Sequence, residues 1–515
     1  MSRVWFQLAL PLCGVGVGSY CVAALVVPPG ANLARHVAWF LVSFAFYLVA
    51  VVLVLHREHP DKRREPPAGS AGVSPASSSC GRDARAPGIG RHLAAYRNQF
   101  GGALGRSTVR RGWWPLRGWS GPTQLAVILG LALLFRLALL ATTPSLSDDL
   151  FRYVWDGKLL NAGVDPHLYP PAAPELSYLR GPLWEGINHK DMATPYPPLA
   201  EALFAVVYRI APESLKAMQV AALLLDLGVV VLLLSMLPLA GLDRRRVLVY
   251  AWNPLVLVQF THSAHYDAGM ILPLLGAVWA VALGRRWLSG LLLGASVLVK
   301  LVPAMVGPLF LPFWGMAGLL AAAVSVVGGM FPWLRAGSGL SGLLLEASDA
   351  RFNDSLGYIL LRAAGAISLD PEATSRMAAG VFMAVASLLL ALRLWRNGGD
   401  WRGLLRSSYH LVGLFLLLNA VVEPWYLTWM VPFLCFFLTA NPRGLPRLEP
   451  ALGWLLLSGL VTLTDLTYRP GFPPGLWVWV RAAEYGPLFL LMLLSMGRWL
   501  LRRPRVTPVE SSPSV

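Results

Sequence analysis

The stretch that decides the fold is "LAVILGLALLFRLALLATTPSLSDDLFRYVWDGK", residues 125–158. Its first half, Leu125–Ala141, is an apolar run of the kind that crosses a bilayer as a helix. Its second half is rich in carboxylates and aromatics and begins where the apolar run ends. Because charge is costly inside hydrocarbon, the adjacent acids Asp148 and Asp149 are expected at the edge of the membrane. The sequence therefore places an acidic segment directly beside a membrane-spanning helix.

The composition of the whole chain is that of a membrane protein. Of its 515 residues, 56% are hydrophobic and 14% are charged, whereas soluble domains carry about 25% charged residues. Long apolar runs recur along the chain, for example at Val381–Leu394 with its flanks. The sequence therefore predicts an all-α, polytopic membrane protein.

The net charge of +16 could indicate a nucleic-acid partner. The basic residues, however, form short clusters between apolar runs, such as Arg244–Arg246 and Arg285–Arg286. This is the distribution of cytoplasmic loops in membrane proteins and not that of a recognition surface. We therefore expect the lipid bilayer as a partner and no nucleic acid. The four cysteines show no spacing typical of a disulfide framework or a metal site.

Placing the basic clusters on the cytoplasmic side predicts the topology. Residues 1–56 are expected to form two N-terminal transmembrane helices, the first of them too long for the apolar core of a signal peptide. Residues 57–120 are basic and rich in Pro, Gly, Ser and Ala, as in a disordered cytoplasmic linker. The membrane core is predicted at 121–500 and a cytoplasmic tail at 501–515. Spans are predicted at 5–27, 37–55, 124–142, 215–238, 247–261, 268–284, 315–334, 374–396, 408–423, 426–440, 450–464 and 482–500. The segment 288–313 is predicted to form two short helices, broken at Lys300 and Pro303. Together these segments give about 12–14 membrane crossings.

This topology gathers nearly every polar cluster that is not basic on one outer face. The outward segments are 143–214, 262–267, 335–373, 423–426 and 465–481. We therefore expect a multi-pass protein of the plasma (inner) membrane whose chemistry takes place on the external, periplasmic face, with 143–214 as a large external loop.

The acids that open this loop have two interpretations. Ser147 can cap a helix that begins at Asp148, and acids in a first helical turn are favoured by the helix dipole. Capping does not account for the residues that follow, which recur at helical spacing and give the helix a polar face. These residues are Asp149, Arg152, Tyr153 and Asp156. Two adjacent carboxylates also repel each other, which raises the pKa of at least one and suits it to act as a general base.

The other outward polar groups allow both structural and functional interpretations. Aromatics such as Trp184 suit stacking on sugar rings and ordinary loop packing equally well. The turn "THSAHYD" (261–267) could bind a metal, although a structural cluster is the simpler interpretation. Lys300 could hold a lipid phosphate, or its long side chain could reach the membrane interface. Asp226 lies in an apolar run, where a charge is usually paired or functional.

A series of short motifs resembles one known group of enzymes. The motifs are "SDDLFRYVWDGKLLNAGVDPHLYPP", "TPYPPLAEALF", "YAWNPLVLVQFTHSAHYDAG", "VLVKLVP" and "EPWYLTWMVPFL". In this order they resemble the polyprenyl-phosphate-sugar-dependent glycosyltransferases of the GT-C superfamily, nearest to the bacterial mannosyltransferases that build lipoglycans and phosphatidylinositol mannosides (glycosyltransferase family 87-like). The resemblance covers roughly residues 120 to 500.

The resemblance implies a helical membrane body whose first external loop carries the catalytic acid. Asp149 and Tyr153 match the family's "D-x-x-x-Y" pattern, with Asp148 as an additional acid. The chain departs from the family at "GVDPH", where many relatives read Gly-x-Asn-Pro-Tyr. By analogy, the substrate-binding residues are expected among Arg152, Tyr153, Asp156, Asp165, Tyr196, His262, His265, Asp267, Lys300, Asn353, Glu423 and Tyr426.

The implied reaction moves a hexose, most commonly mannose in this family, from a polyprenyl-phosphate donor to an external glycolipid or glycan with inversion. Asp149 acts as general base, and the leaving phosphate needs charge stabilisation more than a proton. Lys300, Arg351, Arg469 or a divalent cation such as Mg or Mn could supply it; no other cofactor is expected. A transporter or flippase is the rival interpretation and a non-catalytic scaffold the third. Against the rival, we find no internal repeat, and the polar groups gather on one face.

Overall fold

The computed structural model describes residues 3–56, 121–335, 351–442, 444–469 and 471–501. Within these ranges the regular structure is helical, and the β-pairing is limited to isolated bridges. The α-helices are α1 (Arg3–Val26), α2 (Leu33–His56), α3 (Gly121–Leu140), α4 (Asp149–Asn161), α5 (Pro198–Ile210), α6 (Leu215–Leu239), α7 (Leu248–Ala251), α8 (Pro254–Leu257), α9 (Ala268–Ala282), α10 (Arg286–Val299), α11 (Gly307–Arg335), α12 (Leu356–Ala364), α13 (Pro371–Arg396), α14 (Trp401–Leu418), α15 (Val431–Phe437), α16 (Pro450–Leu460) and α17 (Trp477–Leu501). The linker predicted at 57–120 and, beyond Leu501, the predicted tail lie outside the described residues.

Eight helical segments of the described chain are long and apolar enough to cross a membrane. They are Gln7–Val26, Leu33–His56, Gly121–Leu140, Leu215–Leu239, Val302–Phe331, Pro371–Arg396, Pro450–Tyr468 and Pro474–Leu501. Shorter apolar helices lie at Ala268–Ala282, Arg286–Val299 and Pro424–Phe437. The chain is thus an all-α polytopic membrane protein, as predicted. The number of 12–14 crossings stays a prediction.

The break predicted within 288–313 is present. Helix α10 ends at Val299, and α11 reverses direction at Gly315, whose φ of 57° and ψ of −167° are not helical. Before this point Trp314 donates its indole N–H to Ser289 at the start of α10 (3.0 Å). After it, Gly318 meets Gly290 and Gly329 meets Leu298, so this part of α11 runs parallel to α10. A positive φ favours glycine, which explains the residue at the reversal.

One buried ion pair joins two of the membrane helices. Arg136 of α3 donates to both carboxylate oxygens of Asp226 of α6 (2.6 and 3.2 Å), and both side chains are fully buried. The two N–H groups of Nη1 donate to the carbonyls of Ala132 and Ala251. The charge predicted to be paired or functional at Asp226 is therefore paired.

The span predicted at 247–261 is broken into three buried pieces. Pro254 cannot donate a backbone hydrogen bond, and the Asn253 side chain instead caps α8 by accepting from Leu255 N and Val256 N. A π-helix, Val258–His262, follows. Widened turns of this kind are frequent at functional sites. Here the widened turn leads directly into the polar residues 262–267.

The two N-terminal helices belong to the same compact unit as the core. Tyr47 of α2 donates its hydroxyl to the Val249 carbonyl at 2.6 Å and accepts from Asn253 at 3.3 Å. Tyr47 is completely buried. Tyr47 therefore joins α2 to the core through two hydrogen bonds.

Candidate active site

Asp149 is the first residue of α4 and lies in a polar cluster that we call the mouth, formed by Asp148, Asp149, Asn188, His265, Glu423, Trp425 and Tyr468. Its side chain is 20% exposed. The Asn188 amide N–H group donates to Oδ1 of Asp149 (2.7 Å) and to Oδ1 of Asp148 (2.9 Å), so one amide holds both acids. Asp148, and not Ser147, occupies the N-cap position, and its side chain makes no capping bond; the Ser147 hydroxyl accepts from the Asp149 N–H at 3.3 Å.

His265 lies close to the second carboxylate oxygen of Asp149. Its Nδ1 lies 3.8 Å from Oδ2 of Asp149 and 3.4 Å from the Tyr153 hydroxyl. The imidazole stacks on the Trp425 ring, with centroids 4.0 Å apart and planes 16° apart. Burial, helped by the positive charge of Lys300, lowers the pKa of His265 well below its usual range. The structure thus places a neutral imidazole beside the predicted base.

A second cluster surrounds Lys300. Its ammonium donates to Oδ1 of Asp267 (2.7 Å), and the Trp429 indole N–H donates to the same oxygen (2.7 Å). The ammonium also lies 4.5 Å from the ring centroid of Tyr426 and 5.0 Å from that of Trp429. Asp267 is fully buried, and the Lys300 side chain is 16% exposed. Cation–π contacts and a buried counter-ion therefore hold the charge of Lys300 in one place.

Glu423 forms a third part of the mouth. It precedes the 3₁₀-helix Pro424–Trp429 and accepts from the Tyr468 hydroxyl at 3.3 Å. Asp149 and Glu423 both lie within electrostatic reach of Tyr468. Phe352 stacks on Tyr468 and pairs by backbone hydrogen bonds with residues 420 and 422, just before Glu423. The outward segments predicted at 143–214, 423–426 and 465–481 therefore meet at this mouth.

His262 supports the chain just before Asp149. The Thr142 hydroxyl donates to the Leu139 carbonyl, so it accepts from Nδ1–H of His262 at 2.7 Å. Nε2 then accepts from the Ser145 N–H at 3.3 Å. Burial lowers the pKa of His262 to about 3, so the ring is neutral. His262, His265 and Asp267 thus have three different sets of partners and form no shared metal site.

Other predicted residues are packed away from the mouth. Arg152 pairs with Asp156 (2.9 Å) within α4, and both are buried beside Glu201 of α5. Burial raises the pKa of Asp156 and, together with the Asp156 charge, raises that of Glu201 further. Asp165 accepts from the His167 ring at 2.8 Å. These groups stabilise the loop 143–214, and whether they contact substrate stays a prediction.

Tyr196 and Asn353 also contact other side chains of the protein. Tyr196 lies edge-on to Tyr153, with ring centroids 5.4 Å apart. Asn353 has a left-handed φ of 48°, and its amide donates to the buried Glu484 carboxylate at 2.9 Å. Asparagine adopts the left-handed region more readily than most residues, and the hydrogen bond to Glu484 fixes the orientation of its side chain.

The residues do not form a ligand set for a divalent cation. Within the described ranges no three His, Cys, Asp or Glu side chains gather around one point. Mg²⁺ prefers six oxygens in octahedral geometry, whereas the gap between Asp148 and Asp149 is occupied by an amide N–H donor. The cation predicted from the resemblance stays a prediction.

Sequence reasoning missed three residues of the mouth: Asn188, Trp425 and Tyr468. Trp425 lies in a predicted motif, so its position could have been noted. The contact between Asn188 and Asp149 spans 39 residues of irregular loop, and no periodicity encodes such a contact.

Comparisons with known proteins identify the family of the chain. The family model described as "Alpha-(1->6)-mannopyranosyltransferase, N-terminal domain" matches residues 70–320. A polyprenol-phosphate-mannose-dependent alpha-(1-2)-phosphatidylinositol pentamannoside mannosyltransferase of Mycobacterium tuberculosis is 30% identical over 377 residues, which cover 67% of this chain and 83% of that protein. The chain belongs to the GT-C mannosyltransferase family.

Two further relatives carry related names. The protein of the same description from Mycolicibacterium smegmatis is 27% identical over 388 residues, covering 71% of this chain and 92% of the relative. Alpha-(1->6)-mannopyranosyltransferase A of Mycobacterium tuberculosis is 22% identical over 419 residues, covering 73% and 76% of the two chains. No solved structure matches the chain. This GT-C family member is thus a membrane-embedded glycosyltransferase.

Proposed function

We propose that this mannosyltransferase family member transfers mannose from a polyprenyl-phosphate donor to a glycolipid acceptor, with Asp149 as general base. The observation that carries the proposal is the position of Asp149, which is partly exposed at the mouth and lies beside the neutral His265. The names of the relatives support the donor and a phosphatidylinositol mannoside as acceptor. The names of the relatives include both (1-2) and (1->6) linkages. The linkage that this chain forms is therefore to be determined by structural analysis of its product.

In the proposed step, Asp149 takes the proton of an acceptor hydroxyl as that oxygen attacks the anomeric carbon. The new C–O bond forms while the bond from the anomeric carbon to the phosphate oxygen breaks. A single displacement inverts the anomeric centre. The electron pair of the broken bond leaves on polyprenyl phosphate, which is stable as an anion and needs no proton. His265 positions the carboxylate and stays neutral throughout.

The leaving phosphate requires a cation, and the three predicted candidates differ in their surroundings. Arg351 is taken up by ion pairs with Glu372 (2.8 Å) and Asp354 (2.8 Å). Lys300 is held by Asp267 in its aromatic surroundings. The guanidinium of Arg469 is exposed and makes no hydrogen bond or ion pair with another described residue. Because Arg469 directly follows Tyr468, we assign the phosphate contact to Arg469 first.

The donor is tested with full-length enzyme reconstituted into liposomes with phosphatidylinositol mannosides. One reaction receives radiolabelled polyprenyl-phosphate mannose and the other the matching nucleotide mannose. We expect product only in the first reaction. Transfer from the nucleotide sugar without any polyprenyl phosphate would overturn the proposed donor, and no transfer from either would overturn the proposed function.

We further propose that the mouth faces the periplasm across the plasma membrane. The distribution of arginines supports this orientation. In a cysteine-free variant, single cysteines at Ser177 of the external loop and Ser74 of the linker are expected to react with an impermeant maleimide from opposite sides. Reaction of both from the same side of intact cells contradicts this topology.

A further inference from the structure

The turn between the two N-terminal helices contacts both walls of the candidate active site. This turn, residues 28–36, contains the 3₁₀-helix Pro29–Ala31 and the start of α2. The described part of the chain before α3 thus contributes more than membrane anchoring. The contacts are made by Gly30 on one wall and by His36 on the other.

Gly30 supports the wall that carries Asp149. Its backbone N–H donates to the Ser145 hydroxyl at 3.1 Å, and Ser145 in turn contacts His262. A Cβ atom on Gly30 would lie 1.9 Å from the Ser145 carbonyl oxygen. Only glycine therefore allows this approach, and any side chain would displace the segment four residues before Asp149.

His36 supports the wall that carries Tyr468. Its side chain is 1% exposed, and Nε2 lies 3.0 Å from the Asp465 carboxylate. Because a carboxylate only accepts, Nε2 donates, and Nδ1 accepts from the Tyr20 hydroxyl at 2.9 Å. Thr462 donates to the same Asp465 oxygen at 3.1 Å. Asp465 lies in the 3₁₀-helix that ends at Tyr468, so His36 fixes that helix.

We propose that the turn at residues 28–36 is a positioning element of the active site, through which Gly30 and His36 hold Asp149 and Tyr468 at a working separation. The two contacts come from one rigid hairpin, because Tyr20 of α1 and His36 and Phe40 of α2 are in mutual ring contact. Displacements of about 1 Å at a reacting geometry can lower the rate by about 10²-fold. This proposal rests on the proposed function.

The test compares full-length variants in the liposome assay with polyprenyl-phosphate mannose and phosphatidylinositol mannosides. Gly30→Ala and His36→Phe are expected to lower kcat by about tenfold or more, with KM for the donor changed less than about threefold. His36→Gln keeps an amide N–H for Asp465 and is expected to recover most of the wild-type kcat. The matched control is Tyr47→Phe, which removes a buried hydrogen bond of the same hairpin away from the mouth.

The control separates positioning from stability. Tyr47→Phe is expected to lower the unfolding temperature, because a buried hydrogen bond of the same hairpin is lost, while retaining kcat. Wild-type kcat in folded Gly30→Ala and His36→Phe overturns the proposal, as does an equal kcat loss in Tyr47→Phe. If His36→Phe does not fold, Gly30→Ala decides alone, and wild-type kcat in the folded Gly30→Ala protein overturns the proposal. An inactive wild type counts against the proposed function, whereas an active wild type with unaffected variants counts against the turn.

Discussion

Replacing Asp149 by Asn removes a proton acceptor while leaving the shape of the site almost unchanged. The amide oxygen of the new residue can still accept from Asn188, which donates at 2.7 Å in the native protein. The side chain is partly exposed, so a new amide N–H can be hydrated, and we expect stability to change by less than about 1 kcal/mol. We therefore expect the substitution to lower the rate of the chemical step and not the stability of the protein.

The size of that loss follows from the role assigned to Asp149. A positioned general base contributes about 10²- to 10⁴-fold in rate, which corresponds to roughly 3–5 kcal/mol of transition-state stabilisation. We expect kcat to fall by at least about 10² while KM for the donor changes little, because the donor contacts are not removed. Asp148→Asn is the matched control, since Asp148 is exposed and shares Asn188, and we expect a loss below about tenfold.

The assay is mannose transfer by purified enzyme in liposomes, with the unfolding temperature measured on the same samples. A folded Asp149→Asn enzyme with wild-type kcat would refute the assignment of the base. If Asp148→Asn lowers kcat as much as Asp149→Asn does, the role of general base belongs to the two carboxylates together.

Three further outcomes are expected. Arg469→Gln should lower kcat about 10²-fold without lowering the unfolding temperature, because the side chain is exposed. Lys300→Gln should lower both kcat and the unfolding temperature, because it leaves the buried Asp267 carboxylate without its counter-ion. Arg136→Leu should destabilise the protein by about 3–5 kcal/mol, and adding Asp226→Leu should restore most of this in thermal unfolding. Lowering the pH from 6.5 to 5 should destabilise the wild type relative to a His265→Gln variant by up to about 2 kcal/mol, because burial lowers the pKa of His265 in the fold and the proton binds preferentially to the unfolded chain. The raised pKa values of Asp156 and Glu201 act with the opposite sign but equally in both proteins. An identical change in thermal stability in the two proteins would contradict this.

The sequence predicted the features that depend on local periodicity and on solvation. Apolar runs predicted the membrane helices, and a helical break was expected at Lys300 because Pro303 follows it. The four-residue spacing of Asp149 and Tyr153 placed both on one side of α4, and in the structure both are neighbours of His265. These predictions succeed because each depends on the free energy of a single segment.

The sequence did not predict which polar groups turn inward. Arg152 and Asp156 share a polar face with Asp149, yet both are buried. They are buried beside Glu201 of α5, which lies beyond an irregular loop. The pairing of Asp267 with Lys300 joins residues 33 positions apart across a broken helix. Such contacts depend on how separate elements pack, and no property of either segment alone specifies them.

The protonation state of His265 bears on the kind of donor that the site can use. A glycoside with an alcohol leaving group requires a general acid, because an alkoxide is a poor leaving group near neutral pH. His265 cannot serve as that acid, since burial and Lys300 lower its pKa well below its usual range. Phosphate leaves as an anion and requires positive charge, which Lys300 and Arg469 can supply. A site with a carboxylate beside a neutral imidazole, and cations farther along the mouth, therefore favours a sugar phosphate as donor over a simple glycoside.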